Sequence, residues 1–129
     1  MSDDVIDEVG LIAKNLHASY GAVEVLRGLD FEVAQGKVSV ILGANGAGKT
    51  TTLRAICNMC NSSGDVSLGG QDISRLGTAE IVRRGVAHVP QGRGTFPELS
   101  VGDNLLVGAY VRKDKEVDDD IDRWFEIFP

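Results

Sequence analysis

Apolar and polar side chains alternate along the first third of the chain, and the spacing lengthens to a helical period further on. Residues 11–19 and 24–33 read as strands on either side of Tyr20 and Gly21. In the second of these, Leu29, Phe31 and Val33 alternate with polar or charged neighbours, which predicts one buried face. Gln35 and Gly36 form a turn into a strand-like apolar run, 38–42, and a helix-like run follows over 49–56. Residues 61–64 are a cluster of chain breakers, and 65–68 a short strand that ends at Gly69 and Gly70. Thr78 begins a short helix through Ile81 and Val82, with Arg83, Arg84 and Gly85 as stop signals. Residues 86–89 read as another buried strand, ended by Pro90. Ser100 to Asp103 is a capping box, and Val101, Leu105, Leu106 and Ala109 give the helix behind it an apolar face. A charged linker, 112–116, leads to a last helix in which Ile121, Trp124, Phe125 and Phe128 recur at helical spacing.

The residues between the 38–42 run and the 49–56 run carry the chemistry. Gly43, Ala44, Asn45, Gly46, Ala47, Gly48, Lys49 and Thr50 form a G-x-x-x-x-G-K-T sequence placed after a strand and at the opening of a helix. Glycines let the backbone curl so that successive N–H groups converge on phosphate oxygens. The helix adds the positive end of its dipole at the same point. Lys49 is expected to reach the β and γ phosphates of a nucleoside triphosphate, and the Thr50 hydroxyl to hold Mg²⁺. A glycine-rich turn that merely happens to carry a lysine has no need of both flanking elements.

Composition narrows the setting. With 129 residues the chain is at most one domain, and its apolar fraction of 43% is that of an ordinary globular protein. A net charge of −6 with no basic patch argues against nucleic acid as a partner. No apolar run approaches the ~18 residues that span a bilayer, so no direct lipid insertion is expected. Residues 1–10 read as an acidic tail, the opposite of a basic and then apolar secretory signal, which points to the cytoplasm. Cys57 and Cys60 form C-x-x-C without a second Cys/His pair, and their place near the end of the loop helix suits core packing better than zinc or redox work. Asp118 to Asp120 suit the first turn of a helix better than a metal site.

Along nearly its whole length the chain resembles the ATP-binding subunits of ABC transporters. Asn45 and Ala47 fit that family's form of the phosphate loop. Upstream, Tyr20 and Val25 match its adenine-stacking aromatic and the apolar residue that touches the ring, and stacking needs only a flat polarizable face. Downstream, Val89, Pro90 and Gln91 resemble its Q-loop, in which an uncharged amide reaches Mg²⁺ and the attacking water while the loop faces the membrane partner. The stretch 91–105 and the closing residues 124–129 are similar to the ATPases of branched-chain amino acid importers and their urea and amide relatives. Gly102 and Asp103 depart from the paired glutamates usual there, and Asn58 from the glycine that normally ends the loop helix.

The resemblance implies an α/β fold: a P-loop NTPase core of ABC type, with N-terminal antiparallel strands in a mixed sheet around the phosphate-loop helix. It implies ATP and Mg²⁺ as cofactors. ATP would be held by Tyr20, Val25, residues 43–50 and Thr51, with Thr50 and Gln91 at the metal and Lys49 and Gln91 in catalysis. Implied partners are a second ATP-binding subunit and a membrane permease met through Gln91, which puts the protein peripherally on the inner face of the plasma membrane. His17 and His88 lie upstream of the family's switch histidine and are expected to be structural. Residues 11–129 correspond to a partial ATP-binding domain, truncated where the helical subdomain begins at about 98. The family's signature sequence, Asp-Glu strand and switch histidine do not occur, so these residues alone are expected to be catalytically inactive. Two other readings compete: a non-catalytic nucleotide-binding or interaction module, and a soluble ABC-type ATPase not tied to transport. A GTPase would need an Asn-Lys-x-Asp base-reading sequence, which is missing, and a small-molecule kinase would lack the Tyr20 and Gln91 context.

Overall fold

The computed structural model describes residues 9–44, 46–92 and 94–129. Most of the expected acidic tail, and Asn45 of the phosphate loop, lie outside them. Two compact units divide the chain, one ending at His88 and the other formed by Val89–Pro129.

In the first unit, β1 (Val9–Tyr20) and β2 (Val23–Ala34) form an antiparallel hairpin closed by Gly21 and Ala22. Gly21 has φ 60°, the left-handed geometry that a two-residue hairpin loop requires. β3 (Asn61–Leu68) pairs with the other edge of β1, and the short β4 (Gln71–Asp72) with β3, giving the order β2-β1-β3-β4. All of these pairings are antiparallel. Helix α1 (Lys49–Ile56) and helix α2 (Thr78–Arg83) complete the unit. Ala13, Leu16 and Ala18 of β1 join Leu26, Ala55, Ile56, Val66, Ile73 and Ile81 in one core.

A strict alternation would turn Ala13 and Leu16 to opposite faces of the sheet. A register shift between Ala13 and Leu16 accommodates the mismatch, with Asn15 at φ 51°. The Asn15 N–H is held by Asp30 Oδ1 at 2.6 Å. The reading of 61–64 as chain breakers is corrected: those residues are the start of β3, paired with the end of β1. Gly64 belongs there for a packing reason: at φ 108° it passes so close to β1 that a Cβ would collide with the Asn15 carbonyl oxygen. Asn58 likewise sits at φ 55° just past the end of α1, doing the work of the family's glycine there. Its amide donates to the Leu76 carbonyl at 2.9 Å, and its own carbonyl accepts from Thr78 Oγ1 at 3.3 Å.

Two expected strands are not formed. Residues 38–42 and 86–89 have no regular structure, and Val38 is 92% exposed. A continuous apolar run suits a strand covered on both faces and paired on both edges. Among the described residues, no strand pairs with either run.

The second unit is helical. Helix α3 (Val101–Gly108) has Ser100 as N-cap, its hydroxyl accepting from the Asp103 N–H at 3.1 Å, which is one half of the expected capping box. Asn104 organises the segment before it: the side chain accepts from Phe96 N–H at 2.8 Å and donates to the carbonyls of Phe96 and Ser100 at 3.1 and 2.9 Å. Arg112 ties the linker to helix α4 (Val117–Ile127) through a two-pronged pair with Asp114, at 2.9 and 2.7 Å, and a third contact to Asp120 at 2.8 Å. Neither helix buries a residue fully.

Candidate phosphate-binding site

The first turn of α1 is where the sequence places the phosphates. Gly48 is its N-cap, at φ 99°, and no side chain caps the helix. No acidic residue stands in the first turn. A helix that begins without a side-chain acceptor or a carboxylate presents its free N–H groups and positive dipole end to an anion.

Glycine is required at Gly48 on two grounds. L side chains disfavour its φ, and a Cβ would meet Leu26 Cδ2 at 3.0 Å and Val25 Cγ1 at 3.5 Å. Val25 and Leu26 of β2 therefore pack directly against the end of the phosphate loop. Gly46, at φ 84°, and the bond from Ala47 N–H to the Ala44 carbonyl at 3.1 Å give the loop its curl. Lys49 Nζ donates to the Gly43 carbonyl at 2.5 Å, so the side chain spans the loop from helix to first glycine. Gly43 makes room for that path, since a Cβ there would stand 3.2 Å from Ala47 Cβ and 3.8 Å from the Lys49 stem.

Along α1 the threonines divide. Thr50 is exposed at the helix start, whereas Thr51 and Thr52 are buried, and Thr52 Oγ1 donates to the Gly48 carbonyl at 2.7 Å. An exposed hydroxyl beside a phosphate nest is a hard oxygen donor of the kind Mg²⁺ takes, and such a site needs few protein ligands because phosphate and water oxygens complete the shell. Gln91 is exposed in the second unit.

Tyr20, the last residue of β1, is 45% exposed. The Arg54 guanidinium, from the last turn of α1, lies 6.0 Å from its ring centroid. Cys60 is beside them, a half-buried thiol packed against the core. Burial raises the pKa of Cys60, while the charge of Arg54 and a hydrogen bond from Tyr20 act against it. Cys57 is buried, and burial raises its pKa too. His17 lies on the sheet between Glu24, 2.8 Å from Nδ1, and Asn15, 3.1 Å from Nε2. Sequence reasoning missed Arg54 and Cys60 as neighbours of Tyr20, because nothing local to either residue reveals a contact with the end of β1.

A cleft of about 560 Å³ bordered by His17, Glu24, Gly21 and Asn61 includes no phosphate-loop residue. That disagreement is expected on physical grounds. A phosphate nest is a curl of backbone N–H groups and needs no deep cavity.

Comparison with known proteins identifies the arrangement. The chain is 33% identical over 111 residues to the high-affinity branched-chain amino acid transport ATP-binding protein BraG of Pseudomonas aeruginosa, which covers 85% of this chain and 48% of that protein. It is 35% identical over 118 residues to the lipopolysaccharide export system ATP-binding protein LptB of Escherichia coli, covering 91% of this chain and 49% of that one. The chain thus spans about half the length of the curated relatives it matches. Among solved structures, an ATP-binding cassette of an ABC transporter in its ADP conformation superposes with a TM-score of 0.70 at 27% identity, over 85% of this chain and 44% of that one. The expected fold class holds: these residues are part of an ABC-type cassette, and the described sheet is antiparallel. The family model described as ABC transporter matches residues 26–128, and this chain belongs to that family.

Proposed function

We propose that the chain is the N-terminal part of an ATP-binding subunit of an ABC importer, with residues 43–50 as the triphosphate site. The observation that carries this reading is the start of α1, where Gly48 caps the helix without a side chain and Lys49 bridges back to Gly43. A triphosphate oxygen would compete with the Gly43 carbonyl for Lys49 Nζ and take up the free N–H groups of the first turn. Thr51, being buried, would contribute through its main chain. The Tyr20 ring would stack on adenine, with Val25 beside it. The Thr50 hydroxyl would hold Mg²⁺, whose charge would offset that of the phosphates.

Closure of the site would come from a second ATP-binding subunit, and the Gln91 loop would carry that closure to a membrane permease. This partner, rather than lipid, would keep the protein on the inner face of the plasma membrane. Among the described residues no helix is long and apolar enough to cross a membrane. A branched-chain amino acid or a related amide or urea is the proposed solute, on the likeness of residues 91–105 and 124–129. Relatives of similar identity serve amino acid transport in one case and lipopolysaccharide export in the other, so the solute rests on that likeness alone.

Calorimetric titration of the 129-residue chain with Mg·ATP tests the reading. Saturable binding is expected, weakened at least tenfold by Lys49→Ala, since a charge-assisted hydrogen bond contributes about 1.5–3 kcal/mol. Steady-state hydrolysis is expected at background, because the apolar strand ending in Asp-Glu that would polarise water does not occur in this sequence. Binding that is indifferent to Lys49→Ala would sink the proposal.

A further inference from the structure

We propose that Arg54 is a positioning residue for Tyr20, holding its ring as a one-sided platform for the nucleotide base. The inference rests on the reading of residues 43–50 and Tyr20 as an ATP site and adds one residue to it.

Tyr20 ends β1, next to the tight hairpin turn at Gly21, so its backbone alone leaves the ring free to rotate into solvent. The Arg54 side chain restricts it. The Arg54 guanidinium reaches the ring from α1, 6.0 Å from the centroid. Arg54 is itself held, with Nη2 donating to the Met59 carbonyl at 3.0 Å and Nε buried without a hydrogen-bond partner. A guanidinium anchored at one end and desolvated at Nε is a rigid neighbour for an aromatic face.

The ring is still 45% exposed, which leaves room for a planar base to stack. A cation beside an aromatic ring draws electron density from it, and an electron-poor ring is the better partner for an electron-rich purine. Because Arg54 lies on the same helix that begins at Gly48, phosphate loop and base platform are joined by one rigid element, α1. The distance between them is thereby set within the first unit.

A comparison of two ligands separates this role from general structural support. The chain, Tyr20→Ala, Arg54→Ala and the Tyr20→Ala/Arg54→Ala double variant are titrated with Mg·ATP and with inorganic tripolyphosphate. Stacking on an aromatic contributes about 1–3 kcal/mol per base, so Tyr20→Ala is expected to weaken ATP about fivefold to a hundredfold. Arg54→Ala should weaken it about two- to fivefold, with tripolyphosphate affinity within about twofold of the parent throughout. In the Tyr20→Ala background, Arg54→Ala should cost nothing further.

Equal fold losses from Arg54→Ala with and without Tyr20 would overturn the proposal, as would parallel losses for ATP and tripolyphosphate. If Tyr20→Ala leaves ATP affinity unchanged while tripolyphosphate still binds, the platform is refuted and the phosphate loop stands. If neither ligand binds the parent chain, both readings fall together.

Discussion

The unit ending at His88 and the unit Val89–Pro129 both carry patterns of apolar spacing, yet they use that spacing differently. In the first, Ala13, Leu16, Ile73 and Ile81 are each 2% exposed or less, and strands from distant parts of the chain close around them. In the second, the expected helices form, but their apolar faces remain open: Trp124 is 51% and Phe128 69% exposed. Their main internal aromatic contact is the stack of Trp124 on Phe128, centroids 5.9 Å apart. Periodicity therefore specifies an element and the direction of its face. Burial of that face depends on what meets it in space. The first unit is held by a core, whereas the second is held by caps and ion pairs such as Ser100, Asn104 and Arg112.

That contrast is exposed most strongly by truncating one apolar side chain in each unit. Leu16→Ala removes a core residue of the sheet and should cost about 2–5 kcal/mol of stability, read as a shift in the urea midpoint followed by circular dichroism. Trp124→Ala removes a larger side chain from a half-open face and should cost about 1 kcal/mol or less, close to the value of one aromatic pair. Comparable losses from the two variants would erase the distinction between the units.

A smaller effect tests the ion-pair half of the comparison. The Arg112 guanidinium holds Asp114 down from 3.8 to about 2, with the Glu116 N–H helping. A depressed carboxylate contributes stability above its unfolded pKa and loses it as pH falls through the folded one. The linker between α3 and α4 should therefore hold its pairing above about pH 4 and loosen between pH 4 and 2, seen in the carboxyl carbon shift of Asp114 by NMR. An Asp114 midpoint near 3.8 would show the pair to be without effect in solution.

The legible parts of the site were those whose chemistry is local. Gly46 and Gly48 need positive φ for reasons contained in the loop itself, and Lys49 and Thr50 follow by spacing. The capping at Ser100 is equally local. Three features were hidden because they depend on distant contacts. The Asn15 bulge and the glycine at 64 explain one another only when β1 and β3 are side by side. The apolar run 38–42 reads as a buried strand, but pairing belongs to its neighbours and not to the run. Arg54 meets Tyr20 only because α1 packs beneath the end of β1.

The most direct test of the account is where nucleotide is felt along the backbone. In a ¹⁵N-labelled sample titrated with Mg·ATP, the largest amide shifts should fall on Gly46, Gly48, Lys49 and Thr50, with smaller ones at Tyr20 and Val25. Shifts confined instead to the cleft bordered by His17, Glu24 and Asn61, with the start of α1 unmoved, would contradict it.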